Sequence, residues 1–157
     1  RPMDQALQQL LYLHGKGNSE ASQRLGASVQ QLAGSGVQCH YFHYHPNGDV
    51  AATRLSRSLE ELRALSATLP RERFDAVVGF SLGGLLAALL QERHPELVGR
   101  LVLLAPAIDN IARNAPGLPA AGGPEEEFFE DLRALPSRPA IRVPTLLVHG
   151  ELENDDG

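Results

Sequence analysis

The hexapeptide Gly79-Phe80-Ser81-Leu82-Gly83-Gly84 sits where a buried apolar run, Phe74 to Phe80, gives way to a strongly apolar segment of helical length, Leu82 to Arg93. A bare Gly-x-Ser-x-Gly match arises easily by chance, and its strand-turn-helix setting is what gives it meaning as a nucleophile elbow. On so tight a turn the serine takes a strained backbone conformation, and side chains at Gly79 and Gly83 would collide with neighbouring elements. The same turn aims the Leu82 N–H and the positive end of the following helix toward the place where an oxyanion would form.

Outward from this point the chain alternates short apolar runs with longer helix-period segments, the mark of βαβ units. Upstream, Leu10 to Leu13 reads as a strand, and Leu25, Val29 and Leu32 mark a helix closed by Gly34 and Gly36. Val37 to Tyr44 reads as a second strand, stopped by Pro46-Asn47-Gly48-Asp49. Leu55, Leu59, Leu62 and Leu69 line one face of an amphipathic helix, with Pro70 beyond it. Downstream, Leu101 to Leu104 forms a fourth strand, and residues 110–124 an irregular excursion that could make a small lid. A helix over Glu125 to Leu135 and a fifth strand over Val143 to Val148 follow. Five strands with helical crossovers predict a mostly parallel sheet in a three-layer α/β/α domain spanning residues 1–157, with the second strand outermost, then the first, third, fourth and fifth.

A second oxyanion donor must face the first for either to help. His14-Gly15-Lys16-Gly17 is suited to this, because it follows the first strand and its glycines can turn a main-chain N–H toward the serine. Lys16 would act through its backbone, with His14 and Gly15 placed at the substrate. Alone, the tetrapeptide reads as an ordinary strand-to-helix turn or a weak phosphate cradle. Its pairing with the elbow gives it weight.

His40, His43 and His45 are candidates for metal ligands, since His43 and His45 fall on one strand face with Tyr41. No carboxylate or cysteine at ligand spacing reinforces them, so the favoured reading is structural or exposed histidines, with His45 near the substrate mouth. No metal or other cofactor is implied. His94, at the far end of the elbow helix, reads as a surface residue.

The 157 residues suffice for one well-filled core. A net charge of −5 leaves no broad basic surface for nucleic acid or anionic lipid. The apolar runs are strand-length or broken by charge, unlike a membrane span. Cys39 has no second cysteine to pair with, and a cytoplasmic location is the default expectation.

Three motifs in this order resemble those of the α/β-hydrolase superfamily: Leu11-Tyr12-Leu13-His14-Gly15, Gly79-Phe80-Ser81-Leu82-Gly83-Gly84 and Val143-Pro144-Thr145-Leu146-Leu147-Val148-His149-Gly150. The resemblance covers nearly the whole chain and is far more specific for fold than for substrate. It implies Ser81 as nucleophile, Leu82 and Lys16 as oxyanion donors, and an acid just after His149-Gly150. Spacing puts Glu153 there, with Asp155, Asp156 and Asp109 as alternatives. The family's catalytic histidine follows the acid, so the resemblance implies a chain that is C-terminally incomplete, its last helix, strand and histidine loop lying beyond Gly157. His149 belongs to the strand-end signature and is a poor substitute. The expected activity is hydrolysis of a carboxylic ester or thioester of a small acyl substrate through an acyl-enzyme. A non-catalytic binding or scaffold domain, or an acyltransferase or peptidase on the same frame, are the alternatives.

Overall fold

The computed structural model describes residues 7–107, 123–136 and 138–149. Strands β1 (Gln8–Leu13), β2 (Val37–Phe42), β3 (Ala76–Phe80), β4 (Leu101–Leu104) and β5 (Thr145–Val148) form one sheet in the order β2-β1-β3-β4-β5. Every pairing is parallel, with Leu10 opposite Cys39 and Ala76, and Val78 opposite Val102. This is the order expected from the sequence. Parallel strands need crossovers, and helices α1 (Glu20–Ala33), α2 (Leu55–Ser66) and α3 (Leu82–Arg93) supply the first three.

Leu11, Tyr12 and Leu13 are consecutive and all buried, so β1 is covered on both faces. Alternation puts Leu11 and Leu13 on one face and Tyr12 on the other. Leu11 and Leu13 join the main core with Leu55, Leu59 and Leu62 of α2 and Leu85, Leu86, Leu89 and Leu90 of α3. Burying a leucine is worth about 1.5–3 kcal/mol, so this cluster dominates the stability of the domain.

The Tyr12 face is covered differently. Helix α1 is N-capped by Ser19, which accepts the Ser22 N–H, and ends at Gly34 in the left-handed region (φ 80). Its buried residues are Ser22 and Gly26, the latter lying against the Tyr12 and Tyr41 rings. Leu32, one of the three apolar residues that mark the helix in the sequence, is 87% exposed. The tyrosine rings fill the space between helix and sheet, so small residues sit over them and Leu32 is carried out to solvent.

Helix α4 (Glu126–Arg133) packs beside α2 and sends Phe128 and Leu132 into the main core. The Asp131 carboxylate accepts from the Ser56 N–H and hydroxyl, capping the first turn of α2 from another element. At the other end of α3, buried Gln91 donates to the Ala140 carbonyl and accepts the Arg142 N–H at 2.7 Å, fixing the approach to β5. Strand β5 forms a sheet edge on which Leu146, Leu147 and Val148 are exposed. No helix among the described residues is long and apolar enough to cross a membrane.

Candidate active site

Between the end of β3 and the start of α3, Ser81 adopts φ 54, ψ −117, a conformation that strains any residue with a side chain. The backbone around it allows no relief. The Ser81 N–H donates to the Leu104 carbonyl at 3.0 Å, and the Ser81 carbonyl accepts from Gly84 and Ala107, each at 2.9 Å. The glycine spacing follows from contact distance. A Cβ on Gly79 would lie 2.4 Å from the Gly83 carbonyl oxygen, and one on Gly83 would lie 2.1 Å from that of Leu13. Strand β4 exits through Ala105 at φ 42 and turns Pro106 against Gly84, closing the elbow from its far side.

The first N–H group of an α-helix has no partner within the helix, and among the described residues none is found for that of Leu82. In the loop after β1 the amides divide unevenly. Gly15 N–H donates to Ser22 Oγ at 2.7 Å, Gly17 N–H to His45 Nε2 at 2.9 Å, and Asn18 N–H to the Gly15 carbonyl at 3.0 Å. The Lys16 N–H has no acceptor among the described residues. Lys16, Ser81 and Leu82 line the same cavity, of about 200 Å³, whose other walls are Leu85, Ala107, Phe128, Phe129 and Leu132.

The Lys16 side chain has a role the sequence did not show. Its ammonium pairs with Glu125 at 3.0 Å and stands 5.9 and 5.5 Å from the ring centres of Phe128 and Phe129. Arg54 bridges to Glu127, so α4 is moored to the loop after β1 and to the start of α2 at once. The excursion over 110–124 was expected to shape this region, and its residues 110–122 lie outside those described. Three of the cavity's lining residues, Phe128, Phe129 and Leu132, come from α4.

His14 and Gly15, expected to touch substrate, do not line the cavity. His14 is 1% exposed, stacked on Tyr44 with centroids 4.2 Å apart, and donates from Nδ1 to the Gly15 carbonyl at 2.7 Å. Burial lowers its pKa to about 4, the Gly15 carbonyl pulling the other way and His45 and His43 adding to the fall. His14 is a neutral wedge beneath the loop, because the tyrosine that carries its stack also bonds its carbonyl at 2.6 Å.

The other histidines separate. His40 bonds Gln9 Oε1 at 2.7 Å, exposed His43 stacks on Tyr41, and His45 is buried. Strand β2 ends at Phe42, so His43 and His45 do not share a strand face with Tyr41. His94, expected at the surface, is partly buried, with its Nε2 enclosed and unpartnered among the described residues. His149 is exposed just after β5. Glu153, Asp155, Asp156 and Asp109 lie outside the described residues.

Comparison with known proteins matches residues 43–119 to the family model of the alpha/beta hydrolase fold. The chain is 29% identical over 127 residues to the biotin biosynthesis bifunctional protein BioHC of Teredinibacter turnerae, a match covering 78% of this chain and 22% of that relative. It thus spans about a fifth of that protein's length. Among solved structures, Est1E from Butyrivibrio proteoclasticus with bound ferulic acid superposes with a TM-score of 0.68 at 19% identity, over 95% of this chain and 71% of that one. The monoacylglycerol lipase of Paleococcus ferrophilus gives 0.61 at 18% identity, over 90% and 72%. At these identities the structural likeness is one of fold. With the observed sheet order and the family model matched over residues 43–119, it gives this chain the alpha/beta hydrolase fold.

Proposed function

We propose that the protein is a serine hydrolase that cleaves a carboxylic ester or thioester through an acyl-enzyme on Ser81. The observation that carries this reading is that the strained Ser81 shares one cavity with Lys16 and Leu82, two residues whose amide hydrogens have no acceptor among the described residues. The Ser81 hydroxyl attacks the acyl carbonyl, the Lys16 and Leu82 N–H groups stabilise the tetrahedral oxyanion, and water then releases the acyl group. The reading requires an imidazole to take and return the proton, oriented by an acid for which Glu153 is the first candidate, and none of the chain's six histidines lines the cavity among the described residues. The cavity wall of leucine and phenylalanine suits an acyl group that is apolar, and the Lys16–Glu125 pair leaves no net charge at its rim.

The rival reading is a binding or scaffold domain. On its side stands the fact that no histidine lines the cavity among the described residues. Treating the full-length protein with a fluorophosphonate separates the two. We expect covalent labelling at Ser81, read by peptide mass spectrometry and abolished in Ser81→Ala. An unlabelled, folded wild type would favour the scaffold.

A further inference from the structure

We propose that His45 is a positioning residue for the oxyanion loop: its neutral imidazole engages the Gly17 N–H and thereby leaves the Lys16 amide as the loop's donor to the developing negative charge. The proposal rests on the serine-hydrolase reading above.

The proton directions along His45 can be worked out from one end. Thr53 Oγ1 lies 3.1 Å from the Asp49 carbonyl oxygen, which can only accept, so the threonine hydrogen goes there. The hydroxyl is then the acceptor for His45 Nδ1, 2.5 Å away, and Nδ1 carries a hydrogen. Gly17 donates its N–H to Nε2, which must present a lone pair. Every group is satisfied with the ring neutral. A second ring proton would set two N–H groups against each other at 2.9 Å.

The surroundings favour that neutral state. His45 is 5% exposed and Thr53 is fully buried. Burial and the nearby Lys16 ammonium oppose a charged ring, against a weaker pull from Asp49, and the neutral His14 and Tyr44 rings pack 5.0 and 4.6 Å away. The segment is itself held: Ala51 N–H caps on the Asp49 carboxylate, and Arg54 donates to the Ala51 and Thr53 carbonyls. The contact therefore joins a fixed anchor to the one glycine of the loop whose conformation packing does not fix, since Gly17 is at φ 76 with open space where a Cβ would be.

Releasing Gly17 would free the Lys16–Gly17 peptide plane and so loosen the adjoining plane that carries the Lys16 N–H, which is held from its other side through the Gly15 carbonyl. Gln places an amide oxygen near the His45 Nε2 position, whereas Asn reaches Thr53 but not Gly17. In the full-length protein we expect His45→Leu and His45→Asn to slow fluorophosphonate labelling of Ser81 by about 10- to 100-fold, the scale of a misplaced catalytic group. His45→Gln should restore most of the rate. Hydrogen exchange of the Gly17 amide, followed by NMR, should accelerate in the slow variants and stay protected in His45→Gln. His45→Asn keeps the anchor side intact should His45→Leu fail to fold. If wild type does not label, the serine-hydrolase reading fails and this proposal with it. If wild type labels and His45→Asn labels equally fast with Gly17 exposed to exchange, the positioning role alone is overturned.

Discussion

Helices α1 and α3 lie on opposite faces of the same sheet and are seated in opposite ways. Helix α3 meets the sheet backbone to backbone, with Gly79, Gly83 and Gly84 so close to carbonyls and to Pro106 that no Cβ fits at any of the three. Helix α1 meets it through rings. Gly26 rests on Tyr41 and Tyr12, themselves 5.0 Å apart, and the Tyr12 hydroxyl donates to the Ser22 carbonyl at 2.7 Å. Main chain wedged against main chain cannot yield without moving a strand, while a ring can tilt on its χ angles. The candidate nucleophile belongs to the seat that cannot yield.

The sharpest way to break this contrast is Gly83→Ala. Its methyl would need to displace the Leu13 and His14 carbonyls, and we expect a loss of about 3 kcal/mol or more in urea denaturation, at the upper end of overpacking costs. A loss below about 1 kcal/mol would mean that the elbow has slack. Gly26→Ala should cost less, about 1 kcal/mol, because the rings can shift and alanine gains helix propensity in return. Leu32→Ser sharpens the comparison from the other side. On a residue this exposed we expect a change within about 0.5 kcal/mol, and a larger loss would show that α1 is held by an apolar stripe after all.

The same contrast explains what the sequence could and could not disclose. Helix α3 was legible to its ends, Leu82 and Arg93, because an apolar segment after a buried strand has one place to go. Strand β4 was equally clear at Leu101–Leu104. Helix α1 was located, but its inner face was not legible, since hydrophobic periodicity cannot see two tyrosines from other elements occupying the gap. That Ser81, Leu82 and Lys16 would meet at one cavity was legible from local turn chemistry. Phe128 and Phe129 were not, because an amphipathic helix gives no sign of which cavity it will wall. His45 was hidden for the same kind of reason: its partner, Gly17, is 28 positions away, and nothing in either neighbourhood announces the pairing.

The Ser81 carbonyl, held from Gly84, Leu85 and Ala107, ties the first turn of α3 to the chain leaving β4. A hinge cannot operate there. Whatever adjustment different guests require must be made by the opposite bank, where α4 hangs on the Lys16, Arg54 and Ser56 attachments. On the proposed hydrolase reading, selectivity would then be free to drift through changes in those moorings and in the two phenylalanines, while the turn at Ser81 stays as it is.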